Sequence, residues 1–293
     1  MESIGIIGLG AMGAAMAKRL IQAGFRVSAW ARRPKTTHEL QAHGLVLHAD
    51  KPSLFHNITV LITNVTTTSD VEELLLGEQG AVSHLAAGAL VIDFSTIDAS
   101  RTRDIASALH ARGIHFLDAP VSGGQARAET GELSIMVGGH ADDVERARPL
   151  MQHLGKTITH TGGHGSAQVI KAANQMIMCS TLVGIAEAMA YAKHFGADPH
   201  TVVKVVSAGL GNSEVLKWAG PKMAAQDYSR AIAARLHAKD LLMVADTAKR
   251  ENLNMPVAQI VAQRLGELIA QGGDDGDTSA VLRVVEQHLK LSE

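Results

Sequence analysis

The chain has 293 residues, which is long for one domain and comfortable for two. Hydrophobic residues make up 46% of it but aromatic residues only 3%, so a large core must be built from aliphatic side chains. The net charge of −2 gives no electrostatic footprint for nucleic acid or for an anionic membrane. The single cysteine excludes an intrachain disulfide framework and fits a reducing cytosol. With no signal peptide apparent before the first strand, we expect a cytoplasmic protein.

The first predicted element is a short β-branched strand, residues 4–7, which ends in a Gly-x-Gly-x-x-Gly loop. The loop consists of Gly8, Leu9, Gly10, Ala11, Met12 and Gly13. Its first glycine permits a tight turn, its second lets the backbone approach a pyrophosphate, and its third lets the next helix pack closely against the strand. A predicted helix (residues 11–23) and a predicted strand (residues 26–30) follow, as the motif requires. We therefore expect a dinucleotide site; the alternative is a glycine-rich turn without a nucleotide.

Two arginines, Arg32 and Arg33, follow the second strand, where an NAD site usually has an acidic residue. The nearest acidic residue downstream is Glu39. An arginine at this place can pair with the 2′-phosphate of NADP. The sequence therefore favours NADP(H), with NAD(H) as the second choice. The alternative is that both arginines are solvated loop residues.

Short apolar strands and helical segments continue to alternate in the first half. Strands are predicted at residues 60–62, 90–93 and 114–118, and helices at residues 69–76 and 99–112. Residues 133–137 add a strand whose direction the sequence leaves open, and residues 142–154 add a helix that ends or is interrupted near Pro149. This alternation predicts a parallel, doubly wound sheet, and hence an α/β Rossmann-type domain over residues 1–162.

The pattern changes after residue 165. Residues 166–195 contain no proline and are apolar on all sides, which predicts a buried helix roughly 45 Å long at 1.5 Å per residue, enough to join two domains. Its polar interior residues argue against a membrane span. Only helical patterns follow, at residues 199–208, 231–250, 256–271 and 278–289. The sequence thus predicts an all-α domain over residues 163–293. The acidic residues 274–277 lack calcium-ligand spacing, and we expect no metal site.

A turn with anion-binding potential follows a predicted strand end at Pro120 and Val121. It consists of Ser122, Gly123 and Gly124. Successive backbone N–H groups in such a turn can form a nest for an anion, and the serine hydroxyl adds a donor. This arrangement suits a small carboxylate; the alternative is a simple Gly-Gly turn.

Polar side chains interrupt the long apolar helix at Lys171, Asn174 and Gln175, which share one helix face. Burying three polar side chains is costly without a purpose. Burial favours the neutral form of a lysine amine and so prepares it for proton transfer near neutral pH. The alternative is a crevice lysine that reaches water. Further along, His237 and Asp240 are i, i+3 neighbours, and taken alone this spacing indicates a charged stripe on a helix.

Together these segments resemble the β-hydroxyacid dehydrogenase family over nearly the whole chain. The glycine loop resembles its cofactor loop, residues 118–139 its substrate-binding signature, Lys171-x-x-Asn174-Gln175 its catalytic helix, and Lys239-Asp240 its closing lysine motif. The resemblance implies a Rossmann domain, a long interdomain helix and a helical C-terminal domain that helps to form homodimers or homotetramers.

The resemblance also implies hydride transfer between NAD(P) and a small carboxylate semialdehyde or hydroxyacid. Lys171 is the implied general acid/base, Asn174 its partner, and residues 122–124 the carboxylate site. Further contacts to the cofactor are implied for Val65, Thr66, Thr96 on its nicotinamide side, and Lys239, which can also bind the substrate carboxylate. Val65-Thr66 departs from the Leu-Pro or Val-Pro pair that is frequent in the family, and so lacks a rigid proline.

Three details favour the branch that reduces tartronate semialdehyde (2-hydroxy-3-oxopropanoate) to D-glycerate: residues 133–136, Asn174-Gln175 and Leu236-His237. Within the family, 3-hydroxyisobutyrate, glyoxylate, succinic semialdehyde and a sugar acid remain alternative substrates. An imine reductase is a further alternative, but those enzymes typically replace the lysine that is present here as Lys171. The alternative from another class is a non-catalytic cofactor-binding scaffold, against which Lys171, Asn174 and Ser122 argue.

Overall fold

The computed structural model describes residues 2–33 and 37–290. Residue 1, residues 34–36 and residues 291–293 lie outside the described part. The chain divides into two compact units, residues 1–171 and residues 172–293. The units divide within the long helix, and the domain boundary expected after residue 162 stays a prediction.

Nine strands of the described residues form one sheet in the first unit. They are β1 Ser3–Ile7, β2 Arg26–Trp30, β3 Val46–Leu47, β4 Val60–Thr63, β5 Leu90–Asp93, β6 His115–Asp118, β7 Val121–Ser122, β8 Leu133–Gly138 and β9 Gly155–Gly162. The first six are parallel and lie in the order β3-β2-β1-β4-β5-β6. This order is typical of doubly wound dinucleotide-binding domains, so the Rossmann-type prediction is confirmed.

The register of the parallel strands aligns their carboxyl ends. Ile7 pairs with Thr63, Thr63 with Asp93, and Asp93 with Asp118. The loops that follow β1, β4, β5 and β6 therefore leave the sheet from one edge. In open α/β sheets this edge is where ligands bind.

The faces of the sheet explain why its strands read as continuous aliphatic runs. Ile4 and Ile6 of β1 belong to one buried cluster, whereas Leu61 of β4 and Val91 of β5 belong to another. Successive side chains point to opposite faces of a strand, and helices cover both faces of a parallel sheet. Both faces are therefore apolar, and the pattern lacks the polar alternation of a half-exposed strand.

The remaining strands extend the sheet beyond β6. β8 is antiparallel to β6 and β7 and parallel to β9, which settles its direction. The sequence analysis did not include β9, because most residues of this edge strand are polar and exposed.

Seven helices accompany the sheet in the described part of the first unit. They are α1 Ala11–Gln22, α2 His38–Ala42, α3 Lys51–Phe55, α4 Thr68–Leu76, α5 Ala99–His110, α6 Gly124–Thr130 and α7 Ala141–Met151. Thr67 and Asp70 form a capping box at the start of α4, and Asp98 caps α5. α7 runs past Pro149 and ends at Met151, three residues before the predicted end at Leu154.

The second unit is helical. The long helix α8 Ser166–His194 enters it, and α9 Pro199–Ser207, α10 Glu214–Ala225, α11 Ala234–Arg250, α12 Pro256–Ala270, a 3-10 turn Thr278–Ala280 and α13 Val281–Lys290 follow. The prediction of a helical C-terminal region is thus confirmed. The sequence analysis missed α10, which contains Gly220 and Pro221 near its end and is capped by Ser213.

The helix α8 is, by length and composition alone, able to cross a membrane, and it is the one such helix in the described part of the chain. It carries polar residues at Gln168, Lys171 and Gln175, all of which are buried. Its residues Cys179 and Leu182 belong to the buried cluster of the second unit. These features favour a core helix, which passes the same test of length and composition.

Candidate active site

The glycine loop has the geometry that its motif predicts. Gly8 adopts a φ of 102°, and a Cβ atom there would lie 2.1 Å from the carbonyl oxygen of Asn64. A Cβ atom at Gly13 would lie 2.1 Å from the carbonyl oxygen of Gly8, so only glycine lets α1 approach β1 this closely. A Cβ atom at Gly10 would meet no atom within 4 Å. Gly10 therefore keeps a space open in front of the helix.

The start of α1 suits a pyrophosphate. Gly10 is its N-cap, no side chain caps it, and no acidic residue lies in its first turn. The first backbone N–H groups and the positive end of the helix dipole favour an anion there. Leu9 and Met12 pack partly against the core, while Ala11 is exposed. The residues of this loop therefore fit a dinucleotide.

The buried carboxylate of Asp93 links the loops that follow β4 and β5. The Thr63 hydroxyl donates to Asp93 Oδ1 at 2.8 Å, and the Ser95 N–H donates to the same oxygen at 3.1 Å. The Val65 N–H donates to Ser95 Oγ at 2.9 Å. These bonds hold together the two loops that carry three of the predicted cofactor residues: Val65, Thr66 and Thr96.

Burial raises the pKa of the Asp93 carboxyl to about 6, although hydrogen bonds from Ser95 and Thr63 oppose the shift. The neighbouring Asp118 carboxylate raises it further through charge repulsion. Asp93 Oδ2 has no hydrogen-bond partner in the part of the chain that the structure describes. The charged form of Asp93 is therefore the costly one.

We expect Asp93→Asn to flatten the pH dependence of stability in mildly acidic solution. The folded pKa of about 6 lies above the ordinary value of 3.8, so the folded chain binds this proton more tightly than the unfolded chain. The stabilisation from Asp93 is fully present below the ordinary pKa and is lost as the pH rises through the folded pKa; in full it amounts to about 3 kcal/mol. Urea unfolding of both proteins at a series of pH values measures it. Parallel curves for the two proteins would contradict the assignment.

The end of β2 presents basic groups. Arg32 and Arg33 are exposed and directly follow this strand. Glu39, the nearest acidic residue downstream, forms an ion pair with Lys18, in which Glu39 Oε1 lies 3.0 Å from Lys18 Nζ. The end of β2 therefore carries two guanidinium groups at the place where an NAD site usually has a carboxylate.

The turn at Ser122 requires glycine at the two positions that follow. Gly123 and Gly124 adopt φ values of 135° and 67°. A Cβ atom at Gly123 would lie 2.8 Å from Cδ of Arg127. Gly123 is the N-cap of α6 and no side chain caps this helix. As a glycine, this N-cap offers the first N–H groups of α6 no side-chain acceptor, and the role of the turn as an anion site stays a prediction.

The start of α8 is bonded to the end of β6 through the carboxylate of Asp118. The Gly165 N–H donates to Oδ1 at 2.8 Å, and the Gln168 N–H donates to Oδ2 at 3.3 Å. Burial raises the pKa of the Asp118 carboxyl, and these backbone bonds oppose the shift. Lys171 lies one turn further along α8 and is only 7% exposed. The predicted catalytic lysine therefore lies on a helix whose first turn is fixed to the sheet.

In the second unit, four polar side chains are connected by two hydrogen bonds and an ion pair. Asn174 Nδ2 donates to Gln175 Oε1 at 2.9 Å, and Gln175 Nε2 donates to Asp240 Oδ2 at 2.7 Å. Lys239 Nζ lies 2.9 Å from Asp240 Oδ1. The two predicted site residues Asn174 and Lys239 thus lie at the two ends of this series, joined by the buried side chains of Gln175 and Asp240.

The interpretation of His237 and Asp240 as a charged stripe is wrong. Both side chains are buried, and His237 Nδ1 lies 2.9 Å from the Thr278 hydroxyl oxygen. α11 turns this side to the interior of the second unit, where His237 contacts Thr278 and Asp240 accepts from Gln175. The i, i+3 spacing alone could not distinguish this buried arrangement from a solvated one.

The described residues include no group of three histidine, cysteine, aspartate or glutamate side chains that could hold a metal ion. The polar groups of the candidate site are instead hydroxyls, amides, carboxylates and lysine amines. These groups can bind a carboxylate, stabilise charge on an oxygen and transfer a proton.

Comparison with known protein families decides the assignment. The family model of the NAD binding domain of 6-phosphogluconate dehydrogenase matches residues 3–162, and that of the NAD-binding domain of NADP-dependent 3-hydroxyisobutyrate dehydrogenase matches residues 165–285. The chain belongs to the 3-hydroxyisobutyrate dehydrogenase-like family of β-hydroxyacid dehydrogenases. It is therefore an NAD(P)-dependent oxidoreductase, as the sequence motifs predict.

Relatives that match this β-hydroxyacid dehydrogenase over nearly its whole length are named for different substrates. The chain is 35% identical to 2-hydroxy-3-oxopropionate reductase of Escherichia coli, covering 97% of each. It is 33% identical to NAD-dependent L-serine dehydrogenase of Pseudomonas aeruginosa, covering 98% of each. The crystal structure of 3-hydroxyisobutyrate dehydrogenase from Salmonella typhimurium matches with a TM-score of 0.87 and 28% identity, covering 97% of this chain and 100% of that one. These relatives share the family and differ in the substrate that their names give.

Two side chains that support the site, Asp93 and Gln168, were missed by sequence reasoning, as was the link from Asp240 through Gln175 to Asn174. Asp93 and Asp118 each end an apolar parallel strand, and an acidic residue at such a position is a usable signal, since the strand end is buried. Gln168 gave no signal, because a glutamine near the start of a helix is ordinary. Its role depends on contacts with residues that lie more than 70 positions away.

Proposed function

We propose that this enzyme reduces tartronate semialdehyde to D-glycerate. The observation that carries the proposal is the 35% identity to 2-hydroxy-3-oxopropionate reductase of Escherichia coli across 97% of both chains. The buried Lys171 on α8 supports it, because the reduction of an aldehyde needs an acid beside the carbonyl oxygen.

In this proposal the nicotinamide cofactor, when bound, supplies the hydride. Lys171 stabilises the negative charge that develops on the substrate oxygen and donates a proton to it. Asn174 orients the lysine amine or the oxygen through its amide. Ser122 and the N–H groups of the turn at residues 123–124 bind the substrate carboxylate, which holds the aldehyde carbon in place.

Residues of the first unit bind the cofactor in this proposal. The pyrophosphate lies against the glycine loop, residues 8–13, and Val65, Thr66 and Thr96 contact the cofactor from the loops after β4 and β5.

Lys239 contributes its amine to the cofactor or to the substrate carboxylate. Its ion pair with Asp240 and the link to Gln175 keep that amine in a defined position.

Arg32 and Arg33 are proposed to select NADPH by pairing with its 2′-phosphate. We expect Arg32→Ala and Arg33→Ala each to raise the Kd for NADPH by about tenfold, a loss of roughly 1.4 kcal/mol, and to leave the Kd for NADH nearly unchanged. Fluorescence titration with both cofactors measures the two constants. Arg112→Ala, an exposed arginine at the end of α5, serves as control. An equal loss for both cofactors would rule out the 2′-phosphate assignment.

Two relatives favour other substrates within the same chemistry. The names L-serine dehydrogenase and 3-hydroxyisobutyrate dehydrogenase belong to proteins that match 98% and 97% of the chain. Glyoxylate, succinic semialdehyde and a sugar acid are further candidates, since each presents a carboxylate together with a carbonyl that can be reduced or a hydroxyl that can be oxidised. A carboxylate-binding turn and a proton-donating lysine serve all of these substrates equally.

The deciding experiment follows oxidation of NADPH and NADH by the purified enzyme with a panel of semialdehydes. The panel contains tartronate semialdehyde, glyoxylate, succinic semialdehyde and methylmalonate semialdehyde, with L-serine and 3-hydroxyisobutyrate in the oxidative direction. The proposal requires kcat/KM for tartronate semialdehyde to exceed the others by at least about tenfold. A higher value for another substrate would overturn the proposed substrate and leave the family assignment intact.

We further propose that the enzyme works in the cytoplasm as a homodimer or homotetramer. Ile177, Tyr191 and Phe195 are large apolar side chains that are exposed on or beside α8. The rings of Tyr191 and Phe195 lie 4.8 Å apart, and an exposed apolar patch of this kind is typical of subunit contacts. Light scattering after gel filtration gives the subunit number, and a monomer at all concentrations would contradict the proposal.

A further inference from the structure

Gln168 binds the backbone on both sides of Thr96. Its Nε2 donates to the Ser95 carbonyl oxygen at 2.9 Å, and its Oε1 accepts from the Ile97 N–H at 3.1 Å. The side chain is only 1% exposed. A carbonyl oxygen can only accept and a backbone N–H can only donate, so the two partners fix the orientation of the amide. A glutamine satisfies both partners at once.

The backbone of Gln168 is itself held in place. Its N–H donates to Asp118 Oδ2 at the end of β6. On the other side, Ser95 is bonded to the Asp93 carboxylate and to the Val65 N–H. Gln168 therefore connects the loop after β5 with the first turn of α8, and both of these parts are anchored to the sheet.

Gln168 also lies three residues before Lys171 on α8. Positions i and i+3 are neighbours on one face of a helix, so Gln168 and Lys171 keep a fixed distance from each other. If the Gln168 side chain loses its contact with the loop after β5, that loop can therefore shift relative to Lys171. Thr96 lies between the two bonded backbone groups. The position of Thr96 with respect to Lys171 thus depends on two hydrogen bonds from one buried amide.

We propose that Gln168 is a positioning residue that sets the placement of Thr96, and through it of the nicotinamide side of the cofactor, relative to Lys171. The inference rests on the proposed roles of Lys171 and Thr96. Displacement of a reacting group by about 1 Å can cost 10²-fold in rate. Gln168 acts through the loop and through the helix, and it does not touch the reacting atoms.

The chemistry of the contact predicts which substitutions fail. Gln168→Met keeps the length and volume of the side chain and removes both hydrogen bonds. Gln168→Glu can still accept from the Ile97 N–H, but it places a second acceptor against the Ser95 carbonyl oxygen. Thr102→Val is the matched control, because it removes another buried hydrogen bond of this unit, from the Thr102 hydroxyl to the Asp98 carbonyl oxygen at 2.8 Å.

The test combines kinetics with hydrogen exchange. For Gln168→Met we expect kcat to fall by about 10- to 100-fold, with KM and the Kd for NADPH within about threefold of wild type. The isotope effect with 4-deuterated NADPH should rise, since hydride transfer becomes slower. Exchange of the Ile97 amide should become faster in Gln168→Met and stay slow in Gln168→Glu, although kcat falls in both. Thr102→Val should lower the melting temperature and leave kcat and the Ile97 exchange rate unchanged.

Two results would overturn the proposal. One is a kcat of Gln168→Met near wild type despite a lower melting temperature, which would reduce the residue to a structural role. The other is an Ile97 amide that exchanges as slowly in Gln168→Met as in wild type. If tartronate semialdehyde is a poor substrate, the proposed substrate fails, while the kcat ratio measured with the best semialdehyde and the exchange rates still decide the role of Gln168.

Discussion

Replacement of Lys171 with methionine is expected to lower kcat by about 10²- to 10⁴-fold, the usual contribution of a positioned general acid. Methionine keeps an unbranched side chain in a position that is only 7% exposed, so the fold should tolerate the change. The Kd for NADPH should stay within about threefold, because the contact of Lys171 with the substrate oxygen strengthens in the transition state. Single-turnover kinetics and fluorescence titration of NADPH measure the two effects separately.

Lys204→Met is the matched control for this prediction, because Lys204 is an exposed lysine on α9. It should leave kcat and the Kd for NADPH unchanged. A turnover of Lys171→Met close to that of wild type would remove Lys171 from the mechanism. A loss of NADPH binding equal to the loss of turnover would instead assign Lys171 to the cofactor.

The sequence predicted the Rossmann half well because its signals are local. Each central strand is buried on both faces and therefore reads as an aliphatic run, as in Val60–Thr63 and Leu90–Asp93. The glycine loop is equally local, since three glycines within six residues meet three separate steric demands. The strand order itself follows from parallel pairing and right-handed crossovers once these strands are known.

Elements without an apolar run were missed. β9 contains Gly-Lys-Thr-Ile-Thr-His-Thr-Gly and exposes most of these residues, so no hydrophobic period marks it as a strand. α10 contains Gly220 and Pro221, which normally signal the end of a helix, yet here they fall within its last two turns. The strand is specified by its pairing with β8, and the helix by packing within its unit; neither is encoded locally.

The residues of the candidate site likewise fall into those that the sequence indicates and those that it misses. Residues such as Lys171 and Ser122 were proposed as ligand contacts from the sequence alone, because the family motifs are contiguous in sequence. The side chains that hold them were not, because their contacts join distant segments: Gln168 with Ser95, and Gln175 with Asp240. A motif names the groups that act, whereas the positioning network becomes visible only in three dimensions.

The second large effect is expected in the glycine loop, where substitutions at Gly13 and Gly10 should impair different properties of the enzyme. Gly13→Ala forces a Cβ atom to within 2.1 Å of the Gly8 carbonyl oxygen and should destabilise the fold by about 1–3 kcal/mol, the usual cost of overpacking. Gly10→Ala meets no protein atom within 4 Å, so the free protein should unfold at the wild-type temperature. Its Cβ atom occupies the space that the pyrophosphate needs, and the Kd for NADPH should rise by at least about tenfold.

Gly266→Ala provides the control, since a Cβ atom at this position inside α12 also meets no atom within 4 Å. It should leave NADPH binding unchanged and stabilise the helix slightly, because alanine is a better helix former than glycine. Calorimetry without cofactor and titration with NADPH separate the two kinds of failure. If Gly10→Ala bound NADPH as wild type does, the backbone approach at Gly10 would not be part of the cofactor site. If Gly10→Ala also lowered the melting temperature like Gly13→Ala, the open space would be a feature of the fold rather than of the binding site.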